Sequence, residues 1–200
     1  MRRGPQYHRP LSLETTELTH SYWLYIAAIG LIGAGYADFP LIAYHFGKTA
    51  IASPNWIPIF FAVAMGLDAV AALILGRLFD RLGMPVIMGV SILAAFFAPL
   101  VFLGSFNLAL LGMVLWGIGM GAQESICKAA LAEMVPRHRR ATGYGIFNTG
   151  FGLFWFLGSA LMGILYELSL SALIAFSVII QLLAIPLFYR VSKDLCFLTR

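Results

Sequence analysis

Six long apolar runs constrain this 200-residue chain more than any other feature, because each is near the roughly 20 residues a helix needs to cross a bilayer's hydrocarbon core. They extend approximately over Tyr22 to Phe46, Trp56 to Leu78, Pro85 to Leu103, Leu108 to Val135, Ala141 to Tyr166 and Leu170 to Tyr189. A chain that is 60% hydrophobic and only 11% charged has too few polar groups to cover a water-soluble globule. Membrane-spanning helices are therefore the expected fold, since in lipid each helix satisfies its own backbone hydrogen bonds.

The connections are short and hold most of the charge: "GKTAIASPN", "RLFDRLGM", "GSFN", "PRHRRAT" and "ELS". Links of this length predict a compact antiparallel bundle. The cations fall on alternate links, as the positive-inside bias requires. Arg2, Arg3 and Arg9 precede the first run, Arg77 and Arg81 separate the second from the third, Arg137, Arg139 and Arg140 separate the fourth from the fifth, and Arg190, Lys193 and Arg200 follow the sixth; Lys48 alone marks the other side. Both termini are thus expected in the cytoplasm and the chain in the plasma membrane. A tail over residues 1–21, a six-helix domain over 22–190 and a tail over 191–200 complete the expected organisation.

Other function classes fit poorly. The basic pI of about 9.3 arises from cations scattered along membrane borders, with no nucleic-acid module around them, so no nucleic-acid partner is expected. The polar opening stretch lacks the apolar core of a secretory signal. Cys127 and Cys196 stand too far apart in the expected topology for a disulfide and form no metal site. Intramembrane hydrolysis would need a nucleophile with its base, or a His-Glu-x-x-His set, and neither occurs. Neither an enzyme nor a cofactor is expected.

The two halves of the chain are faintly alike. "IGAGYAD" in the first run ends at Asp38, and "IGMGAQE" in the fourth ends at Glu124; "GLDAVAALILGRLFD", ending at Asp80, parallels "GLFWFLGSALMGILYE", ending at Glu167, with one extra residue. Copies separated by three crossings must be inverted, and nested inverted repeats place transporter sites near the bilayer midplane.

"GRLFDRLG", Gly76 to Gly83, resembles the loop signature of the major facilitator superfamily, although Met84 and Pro85 replace its trailing basic residues. "ADFPLIAYHF" is similar to that family's seventh helix and "RRATGYGIFNTGFG" to the start of its eleventh, so the likeness covers nearly the whole chain as a C-terminal six-helix half. It implies an all-α membrane protein, a six-helix bundle built as a 3+3 inverted repeat. It also implies that Gly76, Asp80, Arg81, Gly83, Arg139 and Arg140 form a conformational-switch contact with a second six-helix unit. A homodimer about an axis normal to the membrane, or a complementary half on another chain, would supply that unit; helix two of one copy is expected to meet helix five of the other.

Ionisable groups inside the runs mark the site. Each costs on the order of 2.5–3.5 kcal/mol to insert at a helix centre, so such groups usually face a cavity or one another. Glu124 and Lys128 stand four apart in the favourable order for a helical ion pair. The family resemblance places Asp38, Gln123, Glu124 and Lys128 along the central path; Asp68, Asn148 and Trp155 are further candidates. The competing role for all of them is static packing between helices. The expected function is transport of a small solute or ion by alternating access; the alternative is a truncated fragment or assembly subunit without transport activity.

Overall fold

A computed structural model describes residues 20–198, with side chains through Asp194. The first nineteen residues, with Arg2, Arg3 and Arg9, and the Cys196 and Arg200 side chains lie outside the described residues. Six helical segments are long and apolar enough to cross a membrane: His20–Thr49, Trp56–Leu82, Met84–Leu103, Phe106–Met134, Arg137–Leu168 and Leu170–Asp194. They coincide with the six apolar runs to within a few residues. Three of the six are broken, which the runs did not reveal. The first span is α1 (His20–Gly35) followed by α2 (Phe39–Thr49), the second is α3 (Trp56–Leu82), and the third is α4 (Met84–Ala95) followed by α5 (Phe97–Leu103). The fourth is α6 (Phe106–Glu124) followed by α7 (Ile126–Met134), the fifth is α8 (Arg140–Leu168) after a 3₁₀ turn at Arg137–Arg139, and the sixth is α9 (Leu170–Leu198).

Proline accounts for two of the breaks. A proline ring clashes with the carbonyl four residues back and offers it no N–H. Pro40 thus ends the regular helix near Tyr36, and Pro99 ends α4 at Ala95; each then sits in the first turn or so of the next helix, where a missing N–H costs nothing. The third break has no proline. There the Ser125 N–H and hydroxyl both donate to the Gly121 carbonyl, a hydroxyl back-bond that bends helices, and Ser125 is distorted within the right-handed helical region, with φ −106° and ψ −77°. Pro186 lies inside α9 without interrupting it.

The first span packs against the fifth and sixth, and the fourth packs against the second and third; the third and sixth also meet. The first and fifth spans, and the fourth and second, close on one another through glycine. A β-carbon on Gly158 would strike the Ala34 backbone, and one on Gly117 would strike the Ala64 backbone. Two apolar cores result, one at each end of the bundle. Tyr25, Ile29, Ile87, Ile126, Leu131 and Phe188 centre the core at the arginine-rich end, and Ile42, Phe46, Phe60, Phe97, Met113 and Leu173 centre the other. Polar side chains collect at the level between them.

Candidate substrate cavity

The helix breaks create the polar layer. Where α1 stops at Gly35, its last carbonyls lose their intrahelical partners. The Ser177 hydroxyl of α9 donates to the Gly35 carbonyl at 2.6 Å, and Gln181 Nε2 donates to the same oxygen at 3.1 Å; Trp116 Nε1 of α6 donates to the Ala37 carbonyl at 2.9 Å. Ser177 and Gln181 are fully buried. Neither is among the residues expected at the site, yet their signal is visible in the sequence: two polar residues one turn apart in an otherwise apolar span, a pattern that joins membrane helices.

The second break is gripped by tyrosines. Tyr25 of α1 donates to the Cys127 carbonyl at 2.6 Å and Tyr144 of α8 to the Lys128 carbonyl at 3.0 Å, while Tyr36 donates to the Trp116 carbonyl. The start of α7 is thereby held from both sides.

Between the first, fourth and fifth spans lies a cavity of about 120 Å³. Gln123, Glu124, Lys128, Asn148 and Trp155 all line it, with Ile29, Met120, Phe147 and Phe151 as its apolar wall. Five of the seven polar candidates thus share one space. Asp38 joins it indirectly, by accepting the indole N–H of Trp155. Asp68 stands apart on α3, packed where α3 crosses α6; a methyl on Gly121 would come within 3.0 Å of its carboxylate oxygen.

Glu124 and Lys128 do not pair. Among the described residues the one carboxylate–cation contact within 4.0 Å is Lys48–Glu167, at 3.5 Å and at the far end of the bundle. The break at Ser125 falls between the two charges, so the four-residue spacing no longer has the geometry of a continuous helix. Both side chains are exposed to the cavity.

The loop motif lies at the arginine-rich end and is open. Asp80 and Arg81 are exposed, and a β-carbon on Gly76 would touch nothing within the chain. Gly83 has a local reason to be glycine: it terminates α3 with φ +67° and ψ −142°, its N–H donating to the Phe79 carbonyl at 2.7 Å. Arg139 ends the 3₁₀ turn, and Arg140 donates to the Ala132 carbonyl at 3.2 Å. No contact within the chain joins Asp80 to Arg139 or Arg140. At the opposite end His45 is buried beside Phe102, with its Nδ1 3.0 Å from the Tyr166 hydroxyl.

Broken helices around a polar cavity, within six spans long and apolar enough to cross a membrane, define a polytopic all-helical membrane protein. A sequence model of the Major Facilitator Superfamily matches residues 18–194, and the chain belongs to that family. It is 28% identical over 188 residues to uncharacterized proteins of Mycobacterium tuberculosis and Mycobacterium bovis, covering 94% of this chain and 45% of theirs. It is 30% identical over 140 residues to the class H tetracycline resistance protein of Pasteurella multocida, covering 68% of this chain and 35% of that one. The chain therefore spans less than half the length of these relatives. No solved structure is significantly similar to it.

Proposed function

We propose that the chain is one six-helix unit of a secondary transporter that moves a small solute across the membrane by alternating access. The observation that carries this reading is the cavity itself, in which Gln123, Glu124, Lys128 and Asn148 face one space at the level of two helix breaks. Polar groups at membrane depth are costly unless they serve a route or one another, and Glu124 and Lys128 do not serve one another. Helix breaks at the midplane are also where transporters of this general design bind their cargo. The relative named for tetracycline resistance supports a small organic solute as cargo.

The cavity is closed, on this account, by a second six-helix unit, either another copy of this chain or a complementary half. Small residues recur with open space around them: Gly66 and Gly76 on α3, and Gly145, Gly152 and Gly163 on α8. Glycine-lined helix faces pack closely on other helices in lipid. α3 of one unit then meets α8 of the other, and Asp80 reaches the Arg139 to Ala141 region across the interface. The distribution of Arg77, Arg81, Arg137, Arg139, Arg140 and Arg190 against the single Lys48 supports cytoplasmic placement of that end in the plasma membrane. The pairing of spans one with five and four with two supports an inverted 3+3 repeat, because exchanging the two halves converts either pair into the other.

Uptake into proteoliposomes, with and without a proton gradient, tests transport. Oxidation of chains bearing single cysteines at Leu78 and Gly145 tests the pairing. A cross-linked dimer is expected, and a protein that transports while strictly monomeric would rule the homodimer out. The same open faces would also serve an assembly subunit without transport activity, for which pairing without uptake is the signature.

A further inference from the structure

We propose that the cavity accepts a zwitterionic solute with a flat aromatic body, its ammonium group at Glu124, its anionic group at Lys128 and its ring against Phe151 and Trp155. This inference rests on the reading of the chain as a transporter unit and adds the chemistry of its cargo.

Glu124 and Lys128 line one wall, four residues apart, and leave each other unpaired across the break at Ser125. A solute carrying one charge would satisfy one of them and leave the other unpaired at membrane depth, where a lone charge is expensive. A solute with both charges neutralises the two together. The wall therefore discriminates by the pairing it leaves incomplete as much as by the contacts it makes.

The opposite wall supplies the aromatic preference. Phe147, Phe151 and Trp155 are four residues apart on α8 and form a continuous ladder; Phe147 and Phe151 are parallel to within 3° at 6.1 Å, and Trp155 meets Phe151 edge-on at 5.2 Å. The Trp155 N–H is already given to Asp38, so its remaining offer to the cavity is its aromatic surface. Such surfaces stack on rings and attract an ammonium group held nearby. Asn148, one position along α8 from Phe147, adds a donor and an acceptor for orientation.

Three matched compounds isolate the claim: phenylalanine (both charges), phenethylamine (the cation alone) and 3-phenylpropionate (the anion alone). Their binding to the full chain in lipid nanodiscs is read from tryptophan fluorescence. Phenylalanine is expected to bind on the order of tenfold or more tightly than either partner, a margin equal to one modest charge contact. Glu124→Gln should reduce phenylalanine to the level of 3-phenylpropionate, and Lys128→Gln should reduce it to that of phenethylamine. The exchanged pair, Glu124→Lys with Lys128→Glu, should restore the preference and so guards against loss of fold. Equal affinity for all three compounds, absence of binding by any, or an unchanged ranking in both single variants would overturn the proposal. Uptake separates it from the transport reading. The expected ranking without phenylalanine uptake would leave the proposal standing and remove transport, whereas protein-dependent uptake of a cation that does not cross lipid unaided, such as choline, without the ranking would do the reverse.

Discussion

Trp155 on the fifth span donates its indole N–H to Asp38 at the break in the first span. The bond ties the aromatic wall of the cavity to the point where the first span changes direction. A hydrogen bond to a charged group contributes about 1.5–3 kcal/mol, more than its neutral counterpart. Trp155→Phe keeps the ring and removes the donor; Asp38→Asn keeps an acceptor and removes the charge. Thermal melts of the two variants and their combination should show a coupling of about 1–2 kcal/mol. Strictly additive losses would mean that the two residues act separately.

Glycine at the close crossings should be irreplaceable, and glycine on the open faces should not. Gly158→Ala pushes a methyl into the Ala34 backbone and is expected to destabilise the bundle by about 1–3 kcal/mol, with Gly117→Ala similar against Ala64. Gly152→Ala meets nothing within 4 Å and should leave the melting temperature unchanged or slightly raised. The bulkier Gly152→Leu separates the two roles of that face. Its melt in detergent should stay near the parent value, and its association with a second unit in lipid should fail.

The buried cap on α1 can be tested at Gln181. Gln181→Leu removes one of two donors to the Gly35 carbonyl and should cost about 1–3 kcal/mol, while Ser177→Ala removes the other at similar cost. Because the two donors share one acceptor, the double variant should lose more than the sum of the single changes. Hydrogen exchange would register the effect first in the backbone around Tyr36 to Phe39.

How much of this was legible in the sequence follows from what kind of signal each feature leaves. The six spans were readable because crossing a hydrocarbon core imposes length and apolarity on every residue of a run. Pro40 and Pro99 carry a signal for two of the breaks that apolarity alone does not, since proline's missing N–H acts wherever it is placed. The break at Ser125 was not readable, because serine bends a helix only when its hydroxyl turns back to the carbonyl four residues earlier, and that choice is made by packing. Its consequence was hidden with it: Glu124 and Lys128 have ion-pair spacing in the sequence and no ion pair in the structure. The grouping of Gln123, Glu124, Lys128, Asn148 and Trp155 depends on how the fourth and fifth spans face each other across the first. Gln181 and Ser177 could have been found by asking which polar residues in the sixth span serve a carbonyl elsewhere. The enclosure of His45 by Tyr166 and Phe102 was not readable either, because it depends on how the first, third and fifth spans meet.

Alternating access is tested most directly at Asn148, on the cavity wall. In a chain with Cys127→Ser and Cys196→Ser, a lone cysteine at this position is reconstituted in oriented proteoliposomes and treated with a membrane-impermeant maleimide from one side at a time. Alternating access predicts labelling from both sides, with rates that shift in opposite directions when a transported solute is added. Labelling from a single side that no solute alters would contradict it.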